Sequence, residues 1–415
     1  MGNEKGVSEK TRINVSDRIK NENKYYLKVS EKYRLSGFLF LVLFVVFAGI
    51  MLVKFGNNIT YDNIVYLARD FNSAMGTSGE SISELNFAAR DNVVFSPFRD
   101  GIAVAGSTGL SIYGPTGQEE YGYTSTVPSP ELRAGDKYLL LFSPGSDSYS
   151  VFGSSSRIFE RKVAGSVVSA DMSDTGAFVI ANRISAGKYD VEIFGDDLKR
   201  VMTVHKDKHV IDTSISPDGR FVAILSAVEG NIDLSGEIYV VKSGSTDPVL
   251  KETVGSSVPL LAHFTGSGTL TVVFDDRIDF YDSEMNRVSS TDLSASPPAF
   301  FDAGKEGVII ALRENAIGTK NRIMAFDTDG ELIYNELISE NVISVASSRD
   351  PENVAGFVRT GDKIIELPLS GEPVSENCKG DVVRMIGTKN GLLVCTNGRI
   401  YRIFSDQPPK EGEGE

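Results

Sequence analysis

The 415-residue sequence has no tryptophan, only two cysteines and only three histidines. Cys378 and Cys395 are too few for a disulfide framework or a thiolate metal cluster. They read as two buried free thiols, because an unpaired cysteine packs as a small apolar residue; one bridge between them is the alternative. His205 and His209 stand four apart, a spacing that suits a metal on a helix. They fall in "VMTVHKDKHVIDTSIS", however, where an outer strand turns into the next unit, and they read as exposed loop residues. Neither that pair nor His263 has a further ligand at zinc-site spacing. Positive charge is also short. There are 42 Lys and Arg against 56 Asp and Glu, a formal charge of −14. Binding a phosphate backbone needs a basic face, so nucleic acid is not an expected partner.

Catalytic signatures are missing too. There is no G-x-S-x-G elbow, P-loop or dinucleotide fingerprint between a strand and a helix. "GSGTL" from Gly266 and "GSSS" from Gly153 read as hairpin turns, since no helix follows either. No catalytic residue, cofactor or metal is assigned from the sequence.

What is present begins with one long apolar run, "LSGFLFLVLFVVFAGIMLVKF", Leu35 to Phe55. Leu35 to Val53 carries no charge. Nineteen residues rising 1.5 Å each span about 28 Å, close to a bilayer core. Backbone in lipid must satisfy its own hydrogen bonds, so the run reads as a transmembrane helix with ends at Leu35 and Val53. A cleaved signal peptide has a shorter apolar stretch and a small-x-small site behind it, which "VKFGNNITYDN" does not offer. Residues 1–34 hold nine Lys/Arg and five Asp/Glu, a net of +4, which leaves −18 on the remainder. Basic flanks stay on the cytoplasmic side. The expectation is a single-pass cell-membrane protein with a cytoplasmic tail (1–34) and an acidic extracytoplasmic portion. Residues 56–80 read as a juxtamembrane helix, with Ile64, Val65, Leu67, Ala68 and Phe71 at helical spacing, and then the linker "NSAMGTSGES".

From Ser81 the texture changes to short apolar, β-branched runs between Gly, Asp, Asn and Ser turns. The turns recur. "FSPFRDGIAVAG" at Phe95, "DMSDTGAFVIAN" at Asp171, "SISPDGRFVAIL" at Ser214 and "HFTGSGTLTVVF" at His263 share one pattern with "FDAGKEGVIIAL" at Phe301 and "MIGTKNGLLVCT" at Met385. Gly101 and Gly391 are 290 residues apart, and seven intervals give about 41 each, the period of a four-stranded propeller blade. Asp218 is therefore turn chemistry rather than a ligand. "FDTDGEL" around Asp327 and Asp329 comes nearest to a cation loop and lacks the ligand series such a loop needs.

Eight units start near Asn92, Pro130, Ser166, His209, Val258, Pro297, Val342 and Asp381. The eighth ends early, at "GRIYRIF", and "ISELNF" (82–87) stands alone before the first. That segment can supply the missing strand and close the ring, which matters because open sheet edges aggregate. A seven-bladed ring with one unit misread is the alternative. The fold class is all-β: a β-propeller of about eight four-stranded blades over residues 81–405, behind a single N-terminal transmembrane helix, with 406–415 a disordered acidic tail.

"AFDTDGELIYN" and "ISPDGRFVAIL" resemble blades of quinoprotein-type and WD-type propellers, although Tyr334 stands where a docking Trp would be and no Trp-Asp signature occurs. The whole arrangement resembles an uncharacterised family of Gram-positive bacterial membrane proteins, a domain of unknown function with a basic tail, one anchor helix and a propeller-like ectodomain. That resemblance implies the architecture and transfers no active-site residues.

Loops on a rigid scaffold are where binding resides. The longer hairpins "RISAGKYDVEIF" and "AVEGNIDLSGEIYV" on neighbouring blades make Arg183, Lys188, Glu229 and Asp233 candidates for a rim site. The expected function is a non-catalytic binding or scaffold module at the cell envelope, with an envelope protein or cell-wall component as partner. The alternatives are a cell-wall or polysaccharide-acting propeller enzyme, which clustered carboxylates or histidine on the propeller axis would favour, and an envelope sensor.

Overall fold

The structure is a computed structural model that describes residues 26, 28–30, 32–50, 53, 82–229, 234–315 and 317–404. The chain divides into two units, Met1–Ile64 and Val65–Glu415. In the first, the helix Lys28–Ile50 is the one described helix long and apolar enough to cross a membrane. It begins a turn and a half or more ahead of Leu35, so the polar approach to the apolar run is helical as well; Val53 is also helical. The expected juxtamembrane helix, the linker and the acidic tail lie outside the described residues.

The second unit is a ring of eight antiparallel four-stranded sheets. The innermost strands of blades 1 to 7 are Val94–Phe98, Glu131–Ala134, Ser166–Met172, His209–Ile215, Pro259–Phe264, Pro298–Gly304 and Val342–Ser347. Blade 8 takes three strands from the C-terminal end, Val382–Thr388, Gly391–Thr396 and Arg399–Ile403. Its outer strand is Glu84–Asn86, which pairs through Glu84 with Tyr401, Leu85 with Ile400 and Asn86 with Arg399. The ring is thus eight-bladed, and residues 82–87 close it.

The second strand of each blade explains why eight sheets cohere. In Phe221–Glu229, Ala223 and Leu225 pack toward blade 5, while Val222 and Ile224 pack toward blade 3. Side chains alternate across a strand, so a run apolar at every position has two greasy faces and needs a neighbour on each side. Eight apolar clusters result, one at each junction between adjacent blades. Tyr113, Phe194, Tyr281 and Phe326 all end third strands and are all buried. In the junction of blades 2 and 3, Phe178 and Phe194 stack with centroids 4.2 Å apart, and the edge of Tyr149 meets both.

The first hairpin of each blade turns as its sequence directs. In blade 4, Gly219 adopts φ +73° and donates its N–H to the Ser216 carbonyl. Asp218 accepts from the Ser216 hydroxyl and the Arg220 N–H, so its carboxylate holds the turn. The turn between the third and fourth strands of blade 6 is held in a similar way, with Asp327 accepting from the N–H groups of Asp329 and Glu331.

Candidate functional site

A cavity of about 400 Å³ lies on the propeller axis, lined by inner-strand residues of blades 1 to 6 and 8. Its polar wall is Ser96, Arg133, Asp171, Asp212, His263, Asp302 and Arg384. Asp171, His263 and Asp302 each stand five positions ahead of a turn glycine, Gly176, Gly268 and Gly307, as Ser214 does ahead of Gly219. Equal spacing from equivalent turns puts them at equivalent heights on successive inner strands.

Five of these groups are first of all fasteners between blades. Asp171 accepts from the Ser214 hydroxyl (3.0 Å) and the Ile215 N–H (2.9 Å) of the next blade. Asp212 accepts from the Ala262 N–H (3.1 Å) on one side and from the Ser169 hydroxyl (2.9 Å) on the other. His263 donates through Nε2 to the Gly304 carbonyl at 3.1 Å. Asp302 accepts from both the N–H and the hydroxyl of Ser347 at 2.8 Å. Arg384 donates to the Phe95 carbonyl at 3.2 Å, across the closing junction. A carboxylate that accepts a neighbouring strand's N–H is a charge-assisted bond, stronger than a neutral one, and it satisfies a donor that the blade edge would leave open.

Enclosure sets the protonation of this wall. Asp212 is surrounded by protein although part of its surface faces the cavity, and that burial pushes its carboxyl up to about 6 against the hydrogen bonds from Ala262 and Ser169. Burial likewise holds His263 below the ordinary imidazole value, consistent with a neutral ring donating through Nε2. At the mouth formed by the first hairpins, Lys305 of blade 6 reaches Asp174 of blade 3 (2.8 Å) and Asp136 of blade 2 (3.3 Å). Blades 6 and 2 face each other across an eight-membered ring, so this ion pair bridges the axis. Burial works against the Lys305 charge, and the two carboxylates outweigh it, holding the ammonium above its usual value.

The opposite mouth is different. In blades 3 to 8 the inner strand carries a bulge at the same place, and the bulged residues are Val168, Ile211, Leu260, Ala299, Ile343 and Val383. All six are aliphatic. Leu260, Ile343 and Val383 are 37, 37 and 49% exposed. A bulge inserts one unpaired residue and re-aims its side chain. The collar lies at the strand ends nearest the blade-to-blade connections.

Residues 76–403 match the model of a protein family described as a family of unknown function, DUF5711. The chain belongs to this family. Among solved structures, this DUF5711 propeller is similar to BamB from Moraxella catarrhalis, with 13% identity, 78% of this chain and 98% of that one covered, and a TM-score of 0.51. It also matches the Cps50 (Swd1) β-propeller domain of Myceliophteria thermophila at 11% identity, with 76 and 96% covered and a TM-score of 0.47. At such identities the likeness concerns the fold alone. No curated protein matches the chain.

The rim residues expected from the sequence fall on this DUF5711 propeller as follows. Arg183 and Lys188 are exposed on the hairpin between the second and third strands of blade 3. Glu229 ends the second strand of blade 4; its side chain, and Asp233 altogether, lie outside the described residues. Arg183 pairs in register with Ser166, and Ala227 with His209, so both hairpins sit on the face that carries the aliphatic collar. His205 and His209 are in strands rather than loops. His205 Nδ1 lies 2.7 Å from Asp190, and His209 Nδ1 lies 2.8 Å from the Tyr189 hydroxyl. Both cysteines are free, as expected, but Cys378 is only half-buried while Cys395 is fully buried. The axial Asp, His and Arg set was missed. For Asp171, His263 and Asp302 the signal was a polar residue five places before the turn glycine; Asp212 and Arg384 stand seven places before theirs.

Proposed function

We propose that the chain is a membrane-anchored propeller whose face of blade-to-blade connections binds a protein partner at the extracytoplasmic side of the cell envelope. The observation that carries this reading is the collar of six bulged aliphatic residues, partly exposed and ringed by the hairpin bearing Arg183 and Lys188. A ring of apolar side chains bordered by charged hairpins suits contact with an apolar segment of another protein. The charge-free run and the +4 tail support an anchor with the tail inside.

The axial cluster favours the enzyme alternative on one point: it gathers three carboxylates and a histidine around one cavity. Against that, Asp171 and Asp212 have both oxygens engaged in hydrogen bonds within the fold. A photo-crosslinking residue at Ile343 or Val383 in intact cells should capture one specific envelope protein, and the same residue at Ser267 on the other face should not. Equal capture from both faces would sink the reading. Release of reducing sugar from cell-wall polysaccharide, lost in Asp302→Asn, would turn it to the enzyme.

A further inference from the structure

A second cavity, of about 90 Å³, opens on the face of the first hairpins where blade 8 meets its neighbours. Three arginines line it: Arg99 from the first hairpin of blade 1, Arg349 from that of blade 7, and Arg402 from the third strand of blade 8. One carboxylate, Asp100, lines it with them, so the lining carries an excess of two positive charges in a chain of formal charge −14. The floor is apolar and backbone: Ile82, Ile102, Ile386, Leu393 and Gly387.

Two observations set this cluster apart from surface arginines. Arg99 sits at φ +55° in a two-residue turn between Phe98 and Gly101, where Asn or Gly would relieve the strain. Its Nη2 donates to the Lys137 carbonyl, and its Nε and Nη1 are shielded from solvent. Arg349 is half-buried and makes no hydrogen bond or ion pair with any described residue. Arg349 thus brings a partly buried charge with no partner of its own to a cavity that two further arginines line, and the fold itself gives no reason for placing it there.

We propose that this cavity is an oxyanion site, taking one phosphoryl or carboxylate group against Arg99, Arg349 and Arg402. Guanidinium forks match both groups with paired, charge-assisted hydrogen bonds. A cavity of this size has room for an oxyanion of five or six heavy atoms, since a water needs roughly 10–15 Å³ on the same measure. Arg402 already clamps the ring closure, donating its N–H to the Ser83 carbonyl and its Nη1 to the Thr388 hydroxyl at 2.9 Å. An anion held there draws blades 7, 8 and 1 together, so binding and ring stability are linked.

The test uses the full-length protein in detergent micelles, titrated by calorimetry with sodium phosphate and separately with sodium acetate at constant ionic strength. Wild type should bind at least one of them saturably, with a matching rise in melting temperature. Arg349→Gln should weaken that binding about tenfold or more, and Arg349→Lys by less. Arg220→Gln, at an exposed arginine in the first hairpin of blade 4, should leave it unchanged. Tighter binding of phosphate assigns a phosphoryl ligand, and tighter binding of acetate a carboxylate. A melting temperature that climbs without saturation is salt exclusion from the surface and overturns the proposal, as does equal affinity in wild type and Arg349→Gln.

Discussion

Ring closure rests on a strand of three residues, and Leu85 is its centre. Leu85 is 5% exposed and packs with Ile82, Val93, Phe95, Cys395 and Ile400, joining the outer strand of blade 8 to the core shared with blade 1. Leu85→Ala removes a buried isobutyl group and leaves a cavity that two packed sheets cannot fully collapse, at a cost of about 3 kcal/mol. Unfolding entropy near 2.1 cal/mol/K per residue, over roughly 320 residues, converts that into a melting shift of about 4 °C. Leu85→Asp should do more. A carboxylate there must leave the core, the strand detaches, and the Arg399–Ile403 strand becomes an open edge. The expected result is a lower melting temperature together with concentration-dependent oligomers by light scattering on the purified full-length protein. A Leu85→Asp protein that melts within about 1 °C of wild type and stays monodisperse would refute the view that this strand closes the ring.

The pH dependence should carry the mark of Asp212. Its carboxyl is raised to about 6, so folding takes up a proton between the unfolded value near 4 and that point. This contribution to stability is complete below about pH 4 and is lost as pH rises through 6. Between pH 6 and pH 5 it amounts to about 1 kcal/mol, and Asp212→Asn should flatten that part of a denaturant-midpoint profile; an unchanged slope contradicts the assignment. Cys395 is fully buried with its thiol pushed up to about 12. A thiol reagent at pH 8 should leave it unmodified in the native protein and label it in urea, and rapid native labelling would show that the junction of blades 8 and 1 opens.

Much of the architecture is local in origin, which is why the sequence discloses it. A hairpin of blade type needs a turn glycine and two apolar strands within a dozen residues, and "SISPDGRFVAIL" contains all three. Unit starts expected near Ser166, His209 and Val342 coincide with the observed first strands because turn chemistry and strand texture change at those same residues. Blade number followed from the short eighth unit and the orphan "ISELNF", since a sheet lacking a strand and a strand lacking a sheet complete each other. The histidines were misplaced for an opposite reason. "VMTVHKDKHVIDTSIS" is polar enough to read as loop, yet pairing across the blade keeps His205 and His209 in strands.

The sequence by itself determined the repeat, the strands, the turns, the apolar helix and the segment that closes the ring. Each depends on residues close together in the chain, or on a hydrophobic pattern that only one periodic packing can bury. The tertiary structure alone decided which side chains meet. Asp136 and Lys305 are 169 residues apart and join across the axis, and Arg99 and Arg402 share a cavity although they lie near opposite ends of the propeller's sequence. Closing a circle makes neighbours of residues that no local pattern relates. Where their charges accumulate depends on the height and angle at which eight blades stand around one axis.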